Sequence, residues 1–123
     1  NGDCGLVASI RDEVALERSL QCMRLIHQDS DISTRDLATR MQISNGAAYY
    51  VLSALIEKGY VKAENFKNNP NKSGYLYLLT PDGLREKSRL TAKFIQRKRA
   101  DYQALKEEIE ALERERERGE TDV

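Results

Sequence analysis

The sequence predicts a mainly α-helical chain with one small β-hairpin, followed by a long C-terminal helix of the coiled-coil kind. Apolar residues recur at helical spacing over most of the 123 residues, and two short stretches alternate in the manner of strands. After Pro81 a heptad pattern continues without another proline. We take residues 10–80 as one folded domain and 81–118 as the long helix. Residues 1–9 are predicted to be a flexible tail, and residues 119–123 a disordered one.

Composition and charge narrow the class of protein. The chain is 40% hydrophobic and 33% charged, and its formal net charge is zero. No apolar run approaches the roughly 20 residues of a membrane helix, and no signal peptide precedes Ile10, so we expect a cytoplasmic protein without membrane contact. Residues 62–99 nevertheless carry ten basic against three acidic side chains, and residues 100–123 carry four against nine. The positive potential that phosphate binding requires is therefore local.

The first two helices follow from apolar spacing and caps. A first helix is predicted from Ile10 to Gln28, and the short polar residues at 29–31 end it. Ser33 with Asp36 three residues later resembles a capping box, which starts a short second helix. The apolar face of the first helix holds Ile10, Val14, Leu16, Leu20, Met23 and Ile26.

A turn at Gln42 and Ile43 leads to a third helix and then to a hairpin. Ser44 caps the third helix and Gly59 ends it. Its buried stripe holds Ala48, Leu52 and Leu55. Residues 60–64 and 75–79 are predicted strands, and the Asn-rich residues between them favour turns. This order is the plan of a winged helix-turn-helix, in which the second helix of the motif enters a DNA major groove and the hairpin, or wing, lies beside it.

The outward face of the third helix is the candidate surface for DNA bases. It holds Ser44, Asn45, Gly46, Ala47, Tyr49, Tyr50 and Ser53. Asn is suited to adenine, Ala to a thymine methyl group, and hydroxyl groups to phosphate. The set contains no Arg or Lys, so we do not expect bidentate reading of guanine from this helix. Packing of either tyrosine ring against the hairpin or a partner remains the alternative.

Phosphate contacts are assigned to cations nearby. The candidates are Arg35 and Arg40 on the second helix, and Lys62, Lys67 and Lys72 around the wing. Each cation that neutralises a phosphate adds about 0.9 to the slope of log affinity against log salt. For any one lysine, an ordinary solvated charge is an equal alternative.

No motif in the sequence indicates catalysis. Cys4 and Cys22 form neither a disulfide framework nor a metal spacing. We interpret Cys22 as a small buried hydrophobe and Cys4 as a tail residue, with a redox switch as the alternative. His27 is the sole histidine and ends the first helix without a ligand at suitable spacing. We expect no enzyme, no metal and no cofactor.

The last helix begins at Thr80 and Pro81 and carries an apolar seam at heptad spacing. The seam positions assigned to dimerisation are Ile95, Tyr102, Leu105, Ile109 and Leu112. A helix of this length cannot bury its seam on so small a body, so we expect a second copy of the chain, with the first helix contributing. The spacing leaves parallel and antiparallel packing open.

Several short motifs occur in the same order in a known family of winged-helix proteins. They are Ile43-Ser44, LIEKG at 55–59, NF at 65–66, NK at 71–72, YLYLLTP at 75–81, Gly83, Leu90, Thr91, Phe94, Arg97, Lys98 and the stretch 102–112. In this order they resemble the MarR-like regulators, and among them the subgroup associated with exopolysaccharide gene clusters. The resemblance implies a homodimeric bacterial transcriptional regulator at the nucleoid, whose third helix and wing bind a pseudo-palindromic operator in duplex DNA.

The chain departs from the wider MarR pattern in two places. Its wing lacks the Asp-x-Arg signature, so Lys67 and Lys72 are the available substitutes. Its terminal region is one long helix instead of several short ones, so the usual effector pocket is not carried over. The operator sequence, the choice between repression and activation, and a small-molecule effector stay open. The alternative function is a winged-helix scaffold that recruits a protein through its acidic coiled-coil end.

Overall fold

The structure is a computed structural model that describes residues 2–65 and 75–121. Its elements, in chain order, are α1 Gly2–Gln28, α2 Thr34–Met41, α3 Asn45–Glu57, β1 Val61–Asn65, β2 Tyr75–Leu79 and α4 Pro81–Thr121. The predicted fold class is confirmed: a helix-turn-helix with a two-stranded wing precedes one long helix.

The first helix begins earlier than the apolar spacing predicted. It starts at Gly2, whereas the sequence predicted a flexible tail over residues 1–9 and a helix from Ile10. No proline interrupts residues 2–9, and Leu6 and Ala8 are good helix formers. A helix that is held by packing further along the chain can therefore extend through them.

The core lies where α1, α2 and α3 meet. Met23 and Ile26 of α1 are fully buried, whereas Ile10 and Val14, predicted on the same buried face, are 51% and 43% exposed. The described residues of the core are Leu20, Cys22, Met23, Ile26, Ile32, Leu37, Ala38, Met41, Ala48, Val51, Leu52, Leu55, Val61 and Leu90. Among the residues of α1 whose burial is described, the buried ones all lie from Leu20 onward.

Serine hydroxyl groups start α2 and α3. The Ser33 Oγ accepts a hydrogen bond from the Asp36 amide at 3.0 Å, and the Ser44 Oγ accepts one from the Ala47 amide at 3.1 Å. Between the two helices Gln42 adopts a left-handed conformation with φ 57°, which few non-glycine residues do. Within the turn predicted at Gln42 and Ile43, Gln42 is the residue with the left-handed backbone.

The wing is an antiparallel hairpin whose register runs from Val61 opposite Leu79 to Asn65 opposite Tyr75. β1 lies one residue further along the chain than the predicted strand at 60–64. The Tyr77 amide donates to the Ser30 carbonyl at 3.0 Å, which ties β2 to the loop after α1.

The start of α4 is fastened to the end of α3 through Thr80. Its amide donates to the Tyr60 carbonyl at 3.0 Å and its hydroxyl donates to the Gly59 carbonyl at 2.5 Å. The same Thr80 Oγ1 accepts from the Gly83 amide at 3.0 Å, so it also caps α4. Gly59 has φ +79°, and a Cβ on Gly83 would lie 2.0 Å from the Tyr60 carbonyl oxygen.

The chain divides into two compact units, residues 1–90 and 91–123. The first unit runs past residue 80 to Leu90 because the Leu90 side chain is part of the core, with 1% exposure. The second unit is the rest of α4, which continues to Thr121 through residues that were predicted to be a disordered tail. Its described side chains are exposed or half-buried.

Candidate nucleic-acid interface

The outward face of α3 is defined by what the opposite face buries. Ala48, Val51, Leu52 and Leu55 pack inward, and Val51 is an addition to the predicted stripe. The opposite face of α3 points away from the core and can contact another molecule, as in other amphipathic helices with one buried stripe. The Ser44 cap fixes where this face begins.

The structure brings the predicted α3 residues onto this face to different extents. Tyr49 and Tyr50 are 65% and 76% exposed, so most of each side chain is accessible to solvent. Ser44, Asn45 and Gly46 are also exposed. Ala47 and Ser53 are half-buried, and the Ser44 hydroxyl is occupied as an acceptor by the Ala47 amide.

Residues 45–56 contain no charged side chain, and Glu57 in the last turn is the first. The polar groups on the outward face are an amide and hydroxyl groups, which donate and accept hydrogen bonds without carrying charge. The α3 surface can therefore contact bases and phosphates by hydrogen bonds, while any ionic contact with phosphate must come from other elements.

Two such cations lie on α2. Arg35 and Arg40 are exposed, while Leu37, Ala38 and Met41 bury the opposite face of the helix. Across residues 2–65 and 75–121, neither arginine lies within ion-pair distance of a carboxylate. Both guanidinium groups are therefore available to an anion from outside the chain.

The lysines of the wing are weaker candidates for phosphate contact than Arg35 and Arg40. Lys62 is exposed, but its Nζ lies 3.1 Å from the Glu64 Oε1 on the same strand. Such a surface pair contributes about 0–1 kcal/mol, and it lowers the local positive charge that the sequence suggested. Lys67 and Lys72 lie outside the described residues.

The net positive charge at the start of α4 is also smaller than a count of its arginines suggests. Arg85 pairs with Asp82 and Arg89 pairs with Glu86, both at a spacing of three residues. The hydrogen bond from Arg89 holds the pKa of Glu86 below its ordinary value. Each pair cancels one positive charge beside the wing. The i, i+3 spacing of these oppositely charged residues predicts the pairing. A count of charges alone did not reveal it.

The predicted dimerisation seam is exposed in the single chain. Ile95 and Ile109 are each 48% exposed, and Leu105, Leu112 and Tyr102 are 56%, 57% and 69% exposed. This stretch of α4 therefore presents large apolar side chains to water in the single chain.

The described part of the chain contains no group of three or more His, Cys, Asp or Glu side chains that could hold a metal ion. His27 is exposed at the end of α1. Cys22 is fully buried, and burial raises the pKa of its thiol to about 12. Among the described helices, none is long and apolar enough to cross a membrane.

Comparison with known proteins identifies the helix-turn-helix. Residues 20–62 match the family model of winged helix-turn-helix DNA-binding proteins. This segment covers α2, α3 and the second half of α1, which together hold the predicted contacts other than those of the wing. No curated protein matches the full sequence.

Solved structures with the same fold include MarR proteins and a MepR–DNA complex. A Staphylococcus aureus MarR bound to salicylate and kanamycin is 21% identical, with a TM-score of 0.53 over 67% of this chain and 53% of that one. A MepR–DNA complex from S. aureus is 18% identical, with a TM-score of 0.57 over 68% of this chain and 60% of that one. The Escherichia coli MarR without ligand is 22% identical, with a TM-score of 0.51 over 71% of this chain and 70% of that one.

The extent of these similarities defines what they establish. The chain spans about half the length of the S. aureus MarR and of a Mycobacterium tuberculosis MarR family protein, with 53% and 54% of those chains covered. At such identities the likeness is one of fold. The chain therefore carries a winged helix-turn-helix of the kind that MarR-family regulators have.

Proposed function

We propose that this chain is a bacterial transcriptional regulator, not an enzyme, which acts as a dimer in the cytoplasm at the nucleoid. The observation that carries the proposal is α3: a capped helix whose inner face is buried and whose outer face leaves Tyr49 and Tyr50 largely exposed within a matched DNA-binding motif. In helix-turn-helix proteins the corresponding helix lies in the major groove. The related MepR structure with DNA supports the same use of the fold.

The exposed seam on α4 supports the proposed dimer. Two copies would present two α3 helices to a pseudo-palindromic operator with half-sites about 10 to 10.5 base pairs apart. Arg35 and Arg40 would contact phosphates on each half-site, with Lys62, Lys67 and Lys72 beside them. The resemblance to regulators of exopolysaccharide gene clusters makes such a cluster the expected target.

The direct test is fluorescence anisotropy with labelled duplexes. We expect the DNA upstream of the operon that contains this chain to bind more tightly than scrambled DNA of equal length. Tyr50→Ala should lower affinity for the operator more than affinity for scrambled DNA, because base contacts carry specificity. Equal affinity of the unchanged protein for both duplexes would refute specific binding.

The salt dependence tests the assigned cations. Arg35→Ala and Arg40→Ala should each reduce the slope of log affinity against log salt by about 0.9. Arg24→Ala on α1 is the matched control, since Arg24 is also exposed and lies outside the proposed interface. If the slope is unchanged in both α2 variants, Arg35 and Arg40 do not contact phosphate.

The second candidate is a scaffold that binds a protein through the acidic end of α4. It is favoured by the uncharged face of α3 and by the carboxylates that pair with Lys62, Arg85 and Arg89. A defined protein that co-purifies with the chain, together with no measurable DNA binding, would support it. A steep salt dependence of DNA affinity would exclude it as the main function.

A further inference from the structure

No contact among the described residues explains why residue 46 is glycine. It lies in the first turn of α3 and is exposed, and an added Cβ would meet no atom within 4 Å. Among the described glycines only Gly59 has a positive φ, so the backbone at Gly46 is one that alanine also adopts. Glycine is less favourable than alanine in a helix because it has more freedom to lose on folding. A glycine at this position leaves the helix backbone open to close approach by another molecule.

Two tyrosines flank the bare backbone at Gly46. Tyr49 and Tyr50 follow it by three and four residues, so all three share one face of the helix. Both rings are mostly exposed, at 65% and 76%. The face therefore combines a position without a side chain and two large apolar surfaces near the end of α3 that reads bases in helix-turn-helix proteins.

The chemistry of this face selects among base pairs. Guanine is read most often by arginine or lysine in the major groove, and residues 45–56 include neither. Adenine is read by an asparagine amide and thymine by apolar contact with its methyl group. Asn45 supplies the amide, and the tyrosine rings supply apolar surface.

We infer that α3 reads A·T base pairs at close range, with the backbone at Gly46 against the DNA and the rings of Tyr49 and Tyr50 on thymine methyl groups. The inference rests on the proposed DNA binding and names the bases that α3 takes. In this arrangement residue 46 is glycine because a side chain there would keep the helix from the DNA. The tyrosine rings determine which base pairs are preferred.

The first test compares stability and affinity in one variant. Gly46→Ala should raise the Tm by about 2 to 6 °C, because it restricts the unfolded chain. The same variant should weaken binding to a duplex obtained by in vitro selection by about 5- to 150-fold. The control is Gly119→Ala, at another exposed helical glycine with no atom within 4 Å of an added Cβ, and it should leave the affinity unchanged. A lower Tm for Gly46→Ala, or an affinity within twofold of wild type, would overturn the inference.

The second test removes only the thymine methyl groups. Deoxyuridine in place of thymidine within the selected half-site should weaken binding about fourfold for each contacted methyl group. Replacement of guanine by 7-deazaguanine, which lacks the N7 acceptor, should leave affinity unchanged. An affinity that responds to 7-deazaguanine and ignores deoxyuridine would overturn the inference.

The two proposals fail in different ways. If the unchanged protein prefers the selected duplex over scrambled DNA but ignores both Gly46→Ala and deoxyuridine, DNA binding stands and the reading of A·T pairs is wrong. If the protein shows no preference for any duplex, the proposed function fails and the inference fails with it.

Discussion

Single residues set the positions of the helices in this chain. Ser33 and Ser44 each accept one amide hydrogen bond at the start of a helix, and such caps contribute about 0.5–2 kcal/mol each. Gln42 sets the turn between the helices with a left-handed backbone. The caps could be predicted because they act over three residues of sequence. The conformation of Gln42 could not, because a positive φ is uncommon for a non-glycine residue.

Cys22 is a residue whose environment predicts a response to pH. The thiol is fully buried, and burial raises its pKa to about 12 because it disfavours the thiolate. The folded state therefore holds its proton more strongly than the unfolded state. The stabilisation is complete below about pH 9 and is lost as pH rises toward the folded-state value.

We therefore expect the free energy of unfolding to fall above pH 9, with Cys22 contributing up to about 1.4 kcal/mol per pH unit. Urea denaturation from pH 8 to pH 11 measures this slope. Cys22→Ala, which lacks the thiol, serves as the comparison. Identical slopes in the two proteins would show that burial of the thiol has no such effect.

At the scale of elements, the decisive contact is between the start of α4 and the segment after α3. Thr80 bonds to the backbone of Gly59 and Tyr60, and the bare Gly83 lies against the Tyr60 carbonyl. These contacts hold the first turn of α4 on the body of the first unit.

Gly83→Ala should lower the free energy of unfolding by about 1–3 kcal/mol, because its methyl group would lie 2.0 Å from the Tyr60 carbonyl oxygen. Thermal and urea denaturation measure the change. Gly119→Ala makes the same substitution in the same helix, at a site with no atom within 4 Å of the added Cβ. We expect no loss of stability in that control, and a stable Gly83→Ala protein would refute the close packing.

This contact also marks what sequence reasoning can and cannot find. Thr80 and Pro81 predicted where α4 begins, and Gly59 predicted where α3 ends, since both signals are local. The packing of Gly83 on Tyr60 joins residues far apart in the chain, so local chemistry does not reveal it. The same holds for the burial of Leu90, which extends the first unit into α4. On the candidate interface, exposure of the α3 face was predictable from periodicity, whereas pairing of Lys62 with Glu64 depends on side-chain placement.

At the scale of the whole molecule, the main question is the number of chains in the working unit. Large apolar residues of α4 between Ile95 and Leu112 are about half exposed in one chain. Burying a side chain of this size is worth about 1.5–3 kcal/mol, so covering the seam with a second copy would yield a substantial free energy of association.

Ile109→Glu should convert the dimer into monomers, because it places a charge in the seam of both copies. Glutamate is a good helix former and Ile109 is 48% exposed in the single chain, so the helix itself should persist. Light scattering at micromolar concentration should give the mass of one chain for the variant and of two chains for wild type. Operator affinity should fall with it, since a monomer loses the gain from two linked contacts.

The matched control is Ala104→Glu, which adds the same charge at an exposed position outside the seam. It should keep the mass of two chains and the wild-type operator affinity. A wild-type protein that is monomeric at micromolar concentration would contradict the dimer.

The hydrogen bonds that join the two ends of the hairpin affect which changes in length the wing can tolerate. Because Thr80 holds the Gly59 and Tyr60 backbone directly, the two ends of the hairpin stay together whatever joins its strands. The entropic cost of a longer connection grows by only about 0.6 kcal/mol for each doubling of its length. The wing can therefore gain or lose residues between β1 and β2, or accept an inserted tag, while α3 keeps its place on the body.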